Sequence, residues 1–350
     1  MTTIPPTTPP TSPSLDQAAM SAAADRWATR AKPPGSLGRL EALAVHLAGV
    51  TGEVPPAVPQ HPALAVFAGD HGVVADGASA WPSEITAAMV ATIAAGGAAV
   101  NAFARTVGAS VTVVDVGVAS PLDGIVGVED RRVRPGTDSI ASGPAMTLDD
   151  AEAAIAAGRT TAAGLIDGGA DLLLGGEMGI GNTTPSAAVI AVVTRRPVRD
   201  LTGPGAGLAS DALDHKATLI QRAVDRATDG GGPPPGGAAL LAEVGGLELG
   251  ALAGLYVEAA ARRVPFVVDG VIAAASLLIA EGVVPGTASF AIAGHRSSEP
   301  AASAALDHLG LTALLDLDLR LGEGTGAVLA VPLVQAAATA LRDMAALPEG

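Results

Sequence analysis

Short apolar runs alternate with longer alanine-rich stretches along most of the chain. Runs of strand length stand at 63–68, 111–116, 172–174, 266–268, 290–293 and, less marked, 311–315. The stretches between them are longer and rich in alanine, the composition of packed helices. Strand and helix in alternation predict an α/β fold, a parallel sheet covered by helices on both faces.

The residues just beyond each run are more informative than the run itself, because ligands in open parallel sheets bind outside the carboxyl ends of the strands. Those ends read Gly69-Asp70-His71-Gly72, Asp115, Gly176-Glu177-Met178-Gly179, Asp269-Gly270 and Gly294-His295-Arg296-Ser297. Polar residues and glycines therefore gather at one edge of the expected sheet, which predicts a single active-site rim.

Two segments lie outside the alternation, a helical stretch at 16–50 and a helix at 325–347. They predict a smaller helical domain, discontinuous in sequence, built from 16–60 and 325–350 and packed over the rim, with 61–324 as the α/β domain that carries the site. Residues 1–15 hold five prolines and no basic or apolar block, so they read as a disordered tail and not as a signal peptide. A cytoplasmic location is the resulting expectation. The glycine- and proline-rich patch at 229–237 reads as an exposed loop. The apolar stretch 85–104 is interrupted by Thr86, Thr92, Gly96, Gly97 and Asn101, which predicts a packed helix and no membrane span.

Composition narrows the function. Hydrophobic residues make up 49% of the 350 but aromatics only 2%, so the interior is aliphatic and platforms for stacking nucleobases are not expected. Acidic residues outnumber basic ones 35 to 20, and a net charge of −15 repels phosphate backbones and anionic lipid. Nucleic-acid and membrane-surface roles are therefore not expected. The absence of cysteine excludes disulfides, cysteine-ligated zinc, iron–sulfur clusters and thiol nucleophiles. His71, His215 and His295 show no metal-binding spacing, so no metal or cofactor is expected; His46 and His308 read as surface residues. Only two lysines remain, Lys32 and Lys216.

Three glycine-rich loops, 176–182, 203–207 and 322–326, can each be a tight turn or a place where backbone amides approach an anion. None fits the dinucleotide fingerprint or the triphosphate loop. Lys216, nine residues beyond Gly207, favours the anion reading for the second loop, since an ammonium beside a backbone nest suits a phosphate monoester; a solvated surface lysine is the alternative. Among the ionisable rim residues, Asp70 and Asp269 end apolar runs, where a carboxylate either binds hydroxyl groups or caps the next helix; His71 follows Asp70. Glu323 sits between glycines directly before the last helix, where it can serve as a general base or stabilise that helix's N-terminus.

Six motifs in order, Lys32-Pro-Pro-Gly-Ser-Leu-Gly-Arg39, Gly69-Asp-His-Gly-Val73, Pro82-Ser-Glu-Ile-Thr86, Gly176-Glu-Met-Gly-Ile-Gly-Asn-Thr-Thr184, Gly294-His-Arg-Ser297 and Leu321-Gly-Glu-Gly-Thr-Gly326, resemble the nicotinate-nucleotide:dimethylbenzimidazole phosphoribosyltransferases over about residues 30 to 345. The resemblance implies transfer of the phosphoribosyl group of nicotinate mononucleotide to dimethylbenzimidazole, giving α-ribazole 5′-phosphate and nicotinate for the lower ligand of cobalamin. It also implies a homodimer of Rossmann-like domains, each with a small helical domain. By the same resemblance Glu323 is the general base, and Glu177 and Gly179 lie beside the nucleotide. Gly203, Gly205, Gly207, Lys216 and Ser297 take its phosphate, and Trp81, Pro82, Met178 and Leu321 wall the pocket for the base. One departure is Ala88, where the family pattern carries glutamine, which removes an amide near the acceptor. Two other functions fit the same rim: a non-catalytic binder of nucleotides or cobamide precursors, and a nucleotide hydrolase with water as acceptor.

Overall fold

The computed structural model describes residues 14–229 and 235–347. The expected tail, all but its last two residues, and most of the expected loop at 229–237 lie outside the described residues, as do 348–350. In chain order the elements are α1 (Gln17–Ala28), α2 (Arg39–Thr51), β1 (Pro62–Gly69), α3 (Glu84–Ala94), α4 (Ala99–Val107), β2 (Ser110–Gly117), β3 (Val128–Asp130), α5 (Leu148–Asp167), β4 (Leu172–Met178), α6 (Thr183–Thr194), α7 (Val198–Leu201), α8 (Leu213–Thr228), α9 (Gly237–Val244), α10 (Leu247–Ala261), β5 (Phe266–Val268), α11 (Val271–Val283), β6 (Ala291–Ala293), α12 (Pro300–Leu309) and α13 (Thr325–Asp343).

The six strands form one sheet in the order β3-β2-β1-β4-β5-β6, with every neighbouring pair parallel. This is the strand order of the doubly wound dinucleotide-binding fold, in which the direction of winding reverses between the first and fourth strands. The reversal opens a crevice beyond the carboxyl ends of β1 and β4, and both strands are built for a central position: all eight residues of β1 are buried. Alternate residues serve opposite faces, as a pleated strand requires. Ala63, Ala65 and Phe67 join the apolar cluster under α5, α6, α10 and α11, while Leu64, Val66 and Ala68 join the cluster under α13 and α1–α4.

An aliphatic core with few aromatics is filled by bringing backbones close. A Cβ on Gly158 of α5 would stand 1.8 Å from the Ala251 carbonyl oxygen of α10, and one on Gly254 would stand 2.0 Å from the Ile155 carbonyl oxygen. The glycines let the two helices touch along their length. Helices α1, α2 and α13 pack on one another, and a single apolar cluster runs from Trp27, Leu47 and Leu341 through Val331 to Leu64 and Leu174 of the sheet.

The structure departs from the sequence expectations in several places. Residues 311–315 form no strand; Leu315 makes one isolated bridge to His295. The short edge strand β3 was not expected. The stretch 85–104 is two helices, because Gly96 and Gly97 break it. Glu84–Val107 and Thr325–Asp343 are each apolar enough by composition to cross a bilayer, but the first is divided at that break and the second packs on β4, β5 and α2. The expected helix at 16–50 is interrupted by the Lys32–Arg39 motif. There the Lys32 ammonium bonds the Glu41 carboxylate at 2.7 Å and lies 5.1 Å from the Trp27 ring centre, so this lysine joins α1 to α2. His46 is half-buried and not a surface residue, with its ring 3.4 Å from the Phe290 carbonyl oxygen.

Candidate active site

A cavity of about 510 Å³ opens beside the point where the winding reverses, on the β4–β6 side of the sheet, within the range of small-molecule sites. Its wall comes from the carboxyl ends of three strands and the loops beyond them. Glu177 to Thr183 follow from β4, Asp269 and Gly270 from β5, and His295, Ser297 and Glu299 from β6. Gly205, Lys216, Arg320, Leu321 and Gly322 complete it. Strand β4 runs through Gly175-Gly176-Glu177, further than its apolar run predicts. Pairing with Ala65, Val66 and Phe67 of β1 extends it, and both glycines are required sterically, since a Cβ at Gly175 would meet the Tyr256 hydroxyl at 2.5 Å and one at Gly176 would meet the Glu323 carbonyl oxygen at 2.4 Å.

The floor is acidic and dry. Glu177 is buried, accepting hydrogen bonds from the Asn182 amide and the Glu323 backbone N–H. Burial, with added repulsion from Glu248 and Asp269, pushes its carboxyl up to about 8 from the ordinary 4.5. The folded protein therefore keeps a proton that the unfolded chain releases between those values, so the stability this group contributes is present in acid and lost as pH rises through about 8. Glu177→Gln is expected to flatten the fall of Tm between about pH 5 and about pH 8, as read by thermal melts; an unchanged slope would assign it to another group.

Asp269 holds a helix N-terminus, but that of α13 and not that of α11, the helix that follows it in sequence. Its carboxylate accepts from the Ala327 N–H at 2.9 Å and the Gly324 N–H at 3.2 Å, which holds the N-terminus of α13, and the His295 ring stands 3.5 Å away. Asp70 and His71 lie beneath the cavity and do not line it. Asp70 accepts from the Ala119 N–H at 2.8 Å, and His71 pairs with Glu248 at 2.8 Å with both side chains buried. That pair lies against the loop after β4, where a Cβ on Gly179 would be 3.1 Å from the His71 ring nitrogen.

Lys216 is no surface lysine. It is 1% exposed, and its ammonium donates to the Thr183 hydroxyl at 2.8 Å and the Gly203 carbonyl at 2.9 Å. Burial lowers it to about 8, opposed by the nearby Glu299 charge. The Gly205 N–H donates to Glu299 at 2.8 Å, and Arg320 donates to the Gly205 carbonyl at 3.1 Å. An ammonium, a guanidinium, a backbone amide and the Ser297 hydroxyl therefore meet at one end of the cavity. Gly203 and Gly207 do not line the wall.

Glu323 lies behind the wall between Gly322 and the start of α13. It is buried, with φ +63°, and its carboxylate reaches the Val100 N–H of α4 at 3.4 Å. A left-handed backbone at a residue with a side chain costs roughly 1–2 kcal/mol and persists only where surrounding contacts impose it. Burial and the charge of Asp269 raise its pKa above the ordinary glutamate value, against the bond from Val100. The first amides of α13 bond Asp269 and not Glu323, whose carboxylate reaches the first turn of α4. Met178 and Leu321 line the cavity, and Leu321 is 56% exposed. Trp81, 51% exposed, borders the cavity by donating its indole N–H to the Ala206 carbonyl at 3.1 Å; Pro82 is exposed and does not line it.

The cavity thus collects Glu177, Met178, Gly179, Gly205, Lys216, Asp269, Ser297 and Leu321. It adds residues to which the sequence assigned no role: Asn182, Thr183, His295, Glu299 and Arg320. Glu248 beneath it was missed as well, although a lone carboxylate in the otherwise apolar first turns of α10 is a readable signal. Among the described residues no group of three or more histidines and carboxylates has a metal-binding arrangement.

The profile of a family described as Phosphoribosyltransferase matches residues 12–350. This chain belongs to that phosphoribosyltransferase family. Nicotinate-nucleotide--dimethylbenzimidazole phosphoribosyltransferase from Salinispora tropica is 48% identical to it over 345 residues, 95% of this chain and 94% of the relative. The enzyme of that name from Chloroflexus aggregans is 48% identical over 339 residues, 96% and 94% of the two chains. The crystal structure of CobT from Thermus thermophilus superposes with a TM-score of 0.89 at 44% identity, covering 94% of this phosphoribosyltransferase and 97% of that chain.

Proposed function

We propose that this phosphoribosyltransferase moves the 5-phosphoribosyl group of nicotinate mononucleotide to 5,6-dimethylbenzimidazole, releasing nicotinate and α-ribazole 5′-phosphate. The observation that carries the reading is the division of one cavity into two unlike ends. Lys216, Arg320, the Gly205 amide and Ser297 form a cationic, donor-rich end suited to a phosphate monoester. Met178, Leu321 and nearby Trp81 offer apolar surface suited to a flat heteroaromatic base, with the Glu323 loop beside it.

In this reading Glu323 takes the proton of the benzimidazole ring nitrogen. The ring's lone pair attacks the anomeric carbon from the face opposite nicotinate. The new C–N bond forms as the old one breaks, and its electron pair leaves with the pyridine nitrogen. An in-line displacement converts a β-nucleotide into an α-riboside, and it requires both substrates to be aligned before reaction. A neutral Glu177 at neutral pH donates a hydrogen bond to the ribose beside Gly179. The same reading takes α1, α2 and α13 as the smaller helical unit, the protein as a homodimer and its location as cytoplasmic.

The test is incubation with nicotinate mononucleotide with and without dimethylbenzimidazole, followed by chromatography of the products. Formation of α-ribazole 5′-phosphate and nicotinate only when both are present is expected. Nicotinate and ribose 5-phosphate without the acceptor would mean a hydrolase, and no turnover would mean a binding protein.

A further inference from the structure

Glu299 occupies the N-cap position of α12, where a carboxylate normally accepts from its own helix's first amides. It makes no such bond. Its carboxylate instead turns to the loop at 203–207 and accepts the Gly205 N–H at 2.8 Å, while its own N–H donates to the Ser297 hydroxyl at 3.3 Å. The residue is buried, and the loop is shaped around it, since a Cβ on Gly203 would stand 2.1 Å from the second carboxylate oxygen. Lys216 and Arg320 are the cations of this corner, Lys216 held on the Gly203 carbonyl and Arg320 on the Gly205 carbonyl. A carboxylate oxygen of the protein thus sits on the backbone amide of the loop whose carbonyls hold the two cations, where the proposed reaction places an oxygen of the donor's phosphate.

We propose that Glu299 holds the phosphate seat before the donor arrives, and that binding is an exchange in which the 5′-phosphate displaces this carboxylate from the Gly205 amide. The inference rests on the reading of this corner as the phosphate end. The exchange keeps the buried amide and ammonium beside a negative charge throughout, so neither is left unpaired. It also lowers the affinity for every phosphate-bearing ligand, product included, because α-ribazole 5′-phosphate keeps the same group. Glu299 accordingly weakens substrate binding and speeds product release.

The test measures inorganic phosphate and nicotinate mononucleotide binding by titration calorimetry, with steady-state kinetics alongside. Glu299→Gln keeps the size but removes the competing charge. It is expected to tighten both ligands about tenfold, lower the donor KM and lower kcat as product release slows. Nicotinate riboside, which lacks the phosphate, is expected to bind as before. Should that variant not fold, Glu299→Asp, which draws the carboxylate back from Gly205, is expected to tighten binding in the same direction. Unchanged or weaker phosphate binding in the folded variant, while Lys216→Ala still weakens the donor, overturns the exchange and leaves the phosphate site standing. Binding indifferent to Lys216→Ala removes the phosphate site itself, and the exchange with it.

Discussion

Glu323→Gln is expected to lower kcat by about 10²-fold or more, the usual weight of general base catalysis, with little change in the donor KM. The substitution keeps length and shape and removes only the ability to accept a proton. The environment argues for a base: a buried carboxylate, pKa raised by desolvation and by Asp269, on a backbone held in the left-handed region between two glycines. Its conformation is fixed from behind, because Asp269 bonds the Gly324 and Ala327 amides on its C-terminal side. A raised pKa has a sign that can be checked. The base is active when ionised, so kcat falls as pH drops through a value above the ordinary 4.5 of glutamate. Rates at saturating concentrations of both substrates across pH measure both effects; a variant within a few-fold of the parent enzyme would remove Glu323 from the chemistry.

Lys216→Ala is expected to raise the dissociation constant for nicotinate mononucleotide by about 10- to 100-fold, the weight of a charged hydrogen bond in a buried site. Nicotinate riboside should bind equally to both proteins. The ammonium is buried against Thr183 and Gly203, and burial has lowered it to about 8. The donor affinity therefore weakens as pH rises above about 8, where the lysine loses its charge, and the alanine variant loses that dependence. Arginine is a poor replacement, because its planar fork does not fit a position built for a compact ammonium. Equal donor affinity in the parent and the alanine variant would place the phosphate elsewhere.

The sheet was legible because five of its six strands carry short apolar runs with glycines or polar residues at their carboxyl ends. Strand β3 was not, since Val128-Glu129-Asp130 is three residues long, two of them charged, and is held as a strand only by pairing with β2. The run at 311–315 failed in the opposite way. Its composition suits a strand, but it serves as the connection after α12, where Arg39 of the Lys32–Arg39 motif bonds the Ala313 and Leu314 carbonyls. The rim was legible because glycines and carboxylates recur at strand ends. Gly175 and Gly176 read as loop residues by composition, although tertiary crowding by Tyr256 and the Glu323 loop is what requires them in β4. Glu299 and Arg320 were missed because their partners are about a hundred residues away in sequence. Nothing local separates a carboxylate that caps its helix from one that reaches across the site.

Helix α13 begins two residues after Glu323 and continues for 19 residues, about 28 Å at 1.5 Å per residue. It carries Glu323, the proposed base, just ahead of one end, packs α1 and α2 along its side, and holds Pro332 in its middle, where one backbone hydrogen bond is missing. A cavity made at Trp27 or Leu47 removes packing from the flank of α13 and is expected to shift the helix that follows the glutamate. With Glu323 as the base, variants in this bundle are expected to slow turnover before they lose the fold.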